Sequence, residues 1–516
     1  METAAPVKFQ LPDPAYERAI WMHQEHMPCS LTPLAQDAGM MQAFVRPAEA
    51  VLPRMIHVNG YVYTRSQPGV QSFGAFPAPN AEQELRRWRE DWLDPVEQAA
   101  ATLEGFDATA VPAGGWRAEI DRQQAMLGEV FRGVHMATMR PALGAAEAFI
   151  SGYVALMGES RRHDAMALLH GFRNASGDRA AALWELGRLV RAHPPLRRAL
   201  ERDCRDPGRT AAAEQFRRGL EAVLERFGCT TQGHAEDLPP WREDPAVPVG
   251  AILLYAEQDD DRDPRGQERR QRERREPLER ELRALAAGDR RAAALLDTLR
   301  AAQYMVPVSE DHNLLADQRL LAASRTRWLL VGEHLRARRL VERADDVFYH
   351  HLDELIAALE EGTGLAAQTI DERRERQLAW RSVAPPQRLG LPPEQLDQEA
   401  ATAPAPTEAS APVRGTPASP GVHRGRARVI AHFEQASTLE RGDVLICAAA
   451  TPEWTPYFVV IGALVTDSGS VLTHGAVVAR EFGLPAVVAA RNATRVIPDG
   501  AMVTVDGLAG TVTVEA

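Results

Sequence analysis

Apolar residues recur at three- and four-residue spacing through most of residues 81–359. Period-two alternation and short apolar runs are confined to the two ends of the chain. The stretch 116–157 sets Leu127, Val130, Phe131, Val134 and Ala137 along one stripe, the pattern of a helix that buries one face. Gly158, Gly171, Gly177 and Pro194-Pro195 punctuate the region, which reads as a helical bundle whose stripes are core. Near 257–305 Arg and Glu interleave, predicting a charged helical hairpin with solvated i,i+4 pairs and with Leu282, Leu285, Leu295 and Leu299 turned inward. Near the start, Val58-Asn59-Gly60-Tyr61 places Asn-Gly between β-forming residues and predicts a hairpin within a small β element near 40–65.

The pattern changes after residue 385. Residues 386–412, rich in Pro, Ala and Thr, cannot bury a core and read as an extended linker. Beyond it, short β-runs at 427–430, 444–447, 463–466, 486–488, 502–505 and 511–514 predict a compact α/β domain over 413–516. Within it, 464–488 reads strand, turn, helix, turn, strand, the helix stopped by Gly483 and barred from continuing by Pro485. The expected fold is therefore α+β and multidomain: a mainly helical domain over 1–385, the linker, then the α/β domain.

Composition narrows the chemistry. A net charge of -12 argues against a broad nucleic-acid surface. Cys29, Cys204, Cys229 and Cys447 form no CxxC pair and suit a reducing compartment. The first residues lack a secretory pattern, and no apolar run approaches the roughly 20 residues of a membrane span, so a cytoplasmic protein is expected. Lys8 is the single lysine. A phosphate-cradling Gly-Lys-Ser/Thr run is therefore absent, and the chain is not expected to bind ATP alone.

His474 falls in the first turn of the helix in 464–488, where free backbone N–H groups and the positive dipole end favour a phosphoryl group. Neutral imidazole is nucleophilic, and the N–P bond it forms is readily passed on. From position alone, a histidine at a helix start is more often a capping or packing residue.

Thr473-His474-Gly475-Ala476-Val477-Val478-Ala479-Arg480-Glu481-Phe482-Gly483-Leu484-Pro485 following Gly469 resembles the swivelling phosphohistidine domain of the phosphoenolpyruvate-utilising enzymes. The likeness spans 413–516 and includes Pro417-Ala418-Ser419-Pro420-Gly421, Gly425-Arg426-Ala427, Thr451-Pro452-Glu453-Trp454-Thr455-Pro456, Asp499-Gly500 and Asp506-Gly507. It departs at Ser470, Thr473 and Gly475, where Gly, Ser and Ala are usual. Residues 167–174, 182–186, 226–245 and 345–355 resemble the helical central domain of rifampicin phosphotransferase-like proteins. There Ala235 and Ser309 stand where that family commonly carries arginine.

The resemblance implies a helical acceptor-substrate domain followed by a β/β/α-type swivelling carrier whose phosphohistidine is His474. His234, Glu236, Glu310 and His312 are the candidate acids and bases at the acceptor. Ser309 followed by acids reads as a helix start. Arg480, Asp237, Thr473, Gly469 and His26 are candidates for holding substrate or phosphoryl group, while Asp467 shapes the turn. His23 and His26 lack a third ligand nearby, so no metal site is expected. ATP and Mg2+ are expected on a separate ATP-grasp subunit, with no recognisable nucleotide domain or pyruvate barrel here. The expected activity is ATP-dependent phosphorylation of a phenolic or other small organic hydroxyl. A net dehydration through phosphorylation, or a non-catalytic partner with a degenerate carrier, are the alternatives.

Overall fold

The structure, a computed structural model, describes residues 7–24, 30–40, 55–65, 87–231, 233, 235–383, 385–386, 388–390, 412–431, 433–471 and 473–515. The main helices before residue 385 are α1 (Leu93–Glu104), α2 (Trp116–Met157), α3 (Ala175–Ala192), α4 (Ala211–Phe227), α5 (Ala246–Ala256), α6 (Pro264–Ala286), α7 (Arg290–His312), α8 (Arg319–Ala337), α9 (Leu352–Glu361) and α10 (Ala367–Arg381). The stripe read over 116–157 is one continuous helix of 42 residues, about 63 Å long at 1.5 Å per residue. Pro141, Pro277 and Pro307 lie inside α2, α6 and α7, each where a sequence reading expects a stop.

The α2–α7 pair forms one core layer, in which Ala145, Phe149 and Tyr153 interlock with Leu295, Leu299 and Ala302. Phe149 is fully buried. Phe149→Ala is expected to cost about 3–5 kcal/mol through lost burial and the cavity left behind, read as a lower urea midpoint for the helical region. In the charged hairpin α6–α7, Leu282, Leu295 and Leu299 are buried as expected, but Leu285 is 41% exposed. Leu285 lies in the last turn of α6, one residue before the helix ends at Ala286.

A small antiparallel sheet of β1 (Trp21–His23), β2 (Met55–Val58), β3 (Tyr61–Arg65) and β4 (Arg388–Leu389), in the order β2-β3-β1-β4, packs on this body. Asn59 (φ 51°) and Gly60 (φ 73°) both take positive φ between β2 and β3, as a type I′ hairpin requires. Strand β4 ties the opening of the Pro-rich stretch to β1; residues 391–411 of that stretch lie outside the described residues.

The C-terminal region is an eight-stranded sheet of β5 (Val413–Arg414), β6 (Thr416–Ser419), β7 (Val422–Val429), β8 (Val444–Cys447), β9 (Ala463–Thr466), β10 (Ala486–Val488), β11 (Met502–Asp506) and β12 (Thr511–Val514), in the order β5-β12-β11-β7-β8-β9-β10-β6. Strands β7 to β10 run parallel. β8, β9 and β10 are buried along their whole length, which explains their uninterrupted apolar runs. α11 (His474–Glu481) joins β9 to β10. One apolar cluster crosses from the helical region into this domain: Trp184, Val249 and Tyr255 share it with Trp454, Phe458 and Phe482. Among the described residues no helix is long and apolar enough to cross a membrane.

Candidate functional site

The site begins at the carboxyl end of β9, where parallel α/β sheets characteristically place ligands. Asp467 receives hydrogen bonds from the Thr494 backbone N (3.0 Å) and hydroxyl, pinning the turn that follows. Gly469 has φ 108°, a conformation that side-chain-bearing residues rarely adopt. A Cβ there would also meet Thr473 Oγ1 at 3.0 Å. Thr473 is the extended residue before α11, its hydroxyl donating to Ser470 O at 2.7 Å. This geometry delivers His474 as the first residue of α11. At the far end Gly483 (φ 66°) and the Leu484 N to Ala479 O bond close the helix.

His474 sits between the two regions. Its Nδ1 lies 2.9 Å from Glu310 Oε2, contributed by α7. Its Nε2 lies 3.0 Å from Thr455 Oγ1 of its own domain, and that hydroxyl also donates to Pro452 O at 2.8 Å. The His474 side chain keeps 15% of its surface exposed, Glu310 only 5%. Burial pushes the Glu310 carboxyl up, but the charge and hydrogen bond of His474 outweigh it, and the net shift is downward. Ser176 Oγ donates to the same Glu310 oxygen at 3.4 Å.

Two further groups complete the site, and neither was singled out in the sequence. Glu453 is buried beside His474, accepts from Thr451 Oγ1 at 2.6 Å, and is raised by burial. Arg179, buried on α3, donates to Pro452 O at 3.0 Å and Thr230 Oγ1 at 3.3 Å, while its Nε has no hydrogen-bond partner among the described residues. Its charge is felt by Glu453, and it in turn is influenced by Glu310. The signal for Glu453 was its motif 451–456; for Arg179 there was none, being one arginine among many. A small cleft opens next to Glu310, lined by Phe172, Asn174 and Ser176 on the helical side and by Val477, Glu481 and Phe482 on the side of the C-terminal domain.

The remaining sequence candidates fall elsewhere. His26 and His234 lie outside the described residues. Glu236 is buried and accepts from Met40 N, and Asp237 pairs with Arg381 at 2.8 Å through both oxygens. These contacts lie within the helical region, away from α11. His312 is buried against Asp317 and His135 rather than against His474. Two residues of helix turn it about 200° from Glu310. Ser309 does not start a helix: α7 runs unbroken through Pro307 and Ser309, whose hydroxyl donates back to Val306 O. Arg480, expected at the phosphoryl group, spends its guanidinium on His170 Nε2, Ala418 O and Val471 O. It lies about 9 Å along the helix from His474. With His170 bound in turn to Glu481, it fastens the C-terminal domain to the helical region.

Asp311 points away from the site, accepting from Ala175 N at 2.7 Å, and burial raises it from 3.8 to about 6. A carboxyl raised on folding keeps a proton that the unfolded chain has lost, so this group's contribution falls as pH rises from about 4 to about 6. Asp311→Asn should remove that slope and leave the variant more stable at neutral pH by up to about 3 kcal/mol, read by denaturant titrations across that window.

The fold and site thus define a histidine presented at a helix start on a parallel sheet, docked against a buried carboxylate of a helical domain. Residues 439–510 match the mobile domain of PEP-utilising enzymes, and residues 133–310 match the rifampicin phosphotransferase fourth domain. The chain carries both. It is 30% identical to chondramide synthase of Chondromyces crocatus over 98% of this chain and 14% of that protein. It is 32% identical to a rifampicin phosphotransferase of a Streptomyces species, over 69% of this chain and 41% of that one. Phosphoenolpyruvate synthase of Aeropyrum pernix is 46% identical over 22% of this chain and 15% of its own. The chain spans well under half the length of these relatives.

Proposed function

We propose that the chain is the phosphohistidine-carrying, acceptor-binding part of an ATP-dependent phosphotransferase whose nucleotide site, with ATP and Mg2+, lies on a separate ATP-grasp subunit. The observation that carries this reading is the 2.9 Å approach of Glu310, from the helical region, to His474 at the start of α11. In the loading step a ring nitrogen of His474 attacks a phosphoryl group of the nucleotide: an N–P bond forms, and the P–O bond to the nucleotide breaks. In the unloading step an acceptor hydroxyl in the cleft beside Glu310 gives its proton to that carboxylate. Its oxygen forms the new P–O bond, and the N–P electron pair returns to the imidazole.

Glu310 is present only when the carrier is docked on the helical region, so its contribution belongs to unloading. Arg179 supplies buried positive charge close to Glu310 and Glu453, where Ser309 stands in place of the arginine expected from the resemblance. Phe172 in the cleft supports an aromatic or other small organic alcohol as acceptor. Incubating the chain with candidate ATP-grasp proteins, labelled ATP and a panel of phenols and alcohols tests the reading. Label passing through His474 to an organic product supports it. Label that never reaches His474 would instead fit a binding or regulatory partner.

A second reading is favoured by the alignment of nearly the whole chain with a segment of a synthase. In that reading the phosphorylated hydroxyl leaves as phosphate while a base takes the proton from the neighbouring carbon, and the net result is an elimination. A dehydrated rather than a phosphorylated product distinguishes it.

A further inference from the structure

Helix α7 does not end at His312 in a loop. A single π-type turn, Asn313–Gln318, carries the chain directly into α8. In a regular α-helix residues five apart point about 140° away from each other. The i→i+5 bonding of a π turn brings them onto one face, and such turns are kept mostly where a site needs them. Here the pair so aligned is His312 and Asp317, with His312 Nε2 at 3.6 Å from Asp317 Oδ2. Helix α2 supplies a third group to the same point: His135 Nδ1 lies 2.8 Å from that same oxygen. The two imidazole rings stand 5.2 Å apart, tilted by 62°. One ligating atom from each residue falls within 4.8 Å of the others.

The tautomer of His312 is set for ligation. Its Nδ1 faces Ser309 O, which fixes the proton on that nitrogen and leaves the Nε2 lone pair toward Asp317. A metal-bound histidine is held in the same way by a backbone carbonyl. Two acceptors, an imidazole lone pair and a carboxylate oxygen, then face one another in a nearly closed setting. A proton or a cation between them relieves the repulsion. The floor is buried, with His312 and Asp317 only 4% and 3% exposed, while His135 at 27% marks the open side.

We propose that His135, His312 and Asp317 bind one divalent transition-metal ion, with the remaining coordination positions open on the His135 side. Two imidazole nitrogens and one carboxylate oxygen are the donor set of Zn2+, Fe2+ or Mn2+ sites rather than of Mg2+ or Ca2+, which favour oxygen alone. Ligand distances near 2.0–2.2 Å require the three side chains to close around the ion by under about 1 Å. The open positions take water or an oxygen of a bound small molecule. The site lies in the helical region, and His312 stands two residues from Glu310, whose carboxyl feels its charge.

The test uses the untagged full chain, stripped with chelator and dialysed separately against Zn2+, Mn2+ and Mg2+, with metal content measured by mass spectrometry. Co2+ loading gives a second readout through its visible bands. One Zn2+ or Mn2+ per chain is expected, with Mg2+ not retained. His135→Ala, a change on the exposed side, should weaken binding by about tenfold or more and alter the Co2+ spectrum. Asp317→Asn should abolish both, with circular dichroism confirming that each variant remains helical. Equal metal content and an unchanged Co2+ spectrum in wild type and His135→Ala, or no transition ion retained by the wild type, overturns the assignment.

Discussion

His474→Ala, supplied with nucleotide and loading partner, is expected to lose phosphoryl transfer by about 10³-fold or more, with folding untouched. The imidazole makes its two polar contacts, to Glu310 and Thr455, and keeps part of its surface open. The helix it opens is held by other groups: Thr473 before it, Val478, Ala479 and Phe482 beneath it, and the Gly483 stop behind it. Removing the ring therefore takes away the nucleophile and little of the fold. A rate-limiting release step does not mask such a loss, because no covalent intermediate forms in the variant. Thermal melting of the variant within a few degrees of wild type would confirm that the chemistry alone was removed.

Glu310→Gln separates the two half-reactions. On the proposed function, loading takes place with the C-terminal domain away from α7 and should proceed at the wild-type rate, whereas unloading should slow by about 10²–10⁴-fold, the usual contribution of a general base. The environment explains why a carboxylate is useful there. Beside an unmodified His474 the Glu310 pKa is held down, which would make it a weak base. A phosphoryl group on the ring removes that positive charge and adds negative charge, leaving burial to dominate and raise Glu310. On the proposed function, Glu310 is therefore expected to be the stronger base once His474 is phosphorylated. The acidic limb of the unloading rate should accordingly lie above the ordinary carboxylate range and disappear in Glu310→Gln. Equal loss in both half-reactions would instead mark Glu310 as a packing partner.

Much of the architecture was legible where side-chain period and local chemistry agree. The Asn59-Gly60 turn, the stripe along α2 and the buried parallel strands all carry strong local signals, and so does the His474 helix with its Gly483 stop. Errors arose where tertiary packing overrode a local rule. Ser309 followed by acids has the composition of a cap, and Pro307 has that of a breaker, yet packing of α7 along α2 keeps the helix running through both. Arg480 sits in a motif beside His474, and its place there suits a phosphate ligand and a structural salt bridge equally. The helix rise moves it away from His474, and burial commits it to His170. Arg179, Glu310 and Glu453 meet through three separate elements. Only Glu310 was marked in advance, by its place in a charged string. His135 reaches His312 and Asp317 from α2, and those two share a face through a π turn that no residue pattern announced.

The central claim can be tested without the loading partner. Phosphoramidate phosphorylates nucleophilic imidazoles directly, and the modified full chain can be mapped by mass spectrometry under alkaline conditions and then chased with phenol. The account predicts a phosphoryl group on His474 that passes to the phenolic oxygen, quickly in wild type and slowly in Glu310→Gln. A His474 that stays unmodified while other histidines react, or a phosphoryl group that leaves it at the same rate with and without Glu310, would contradict the account.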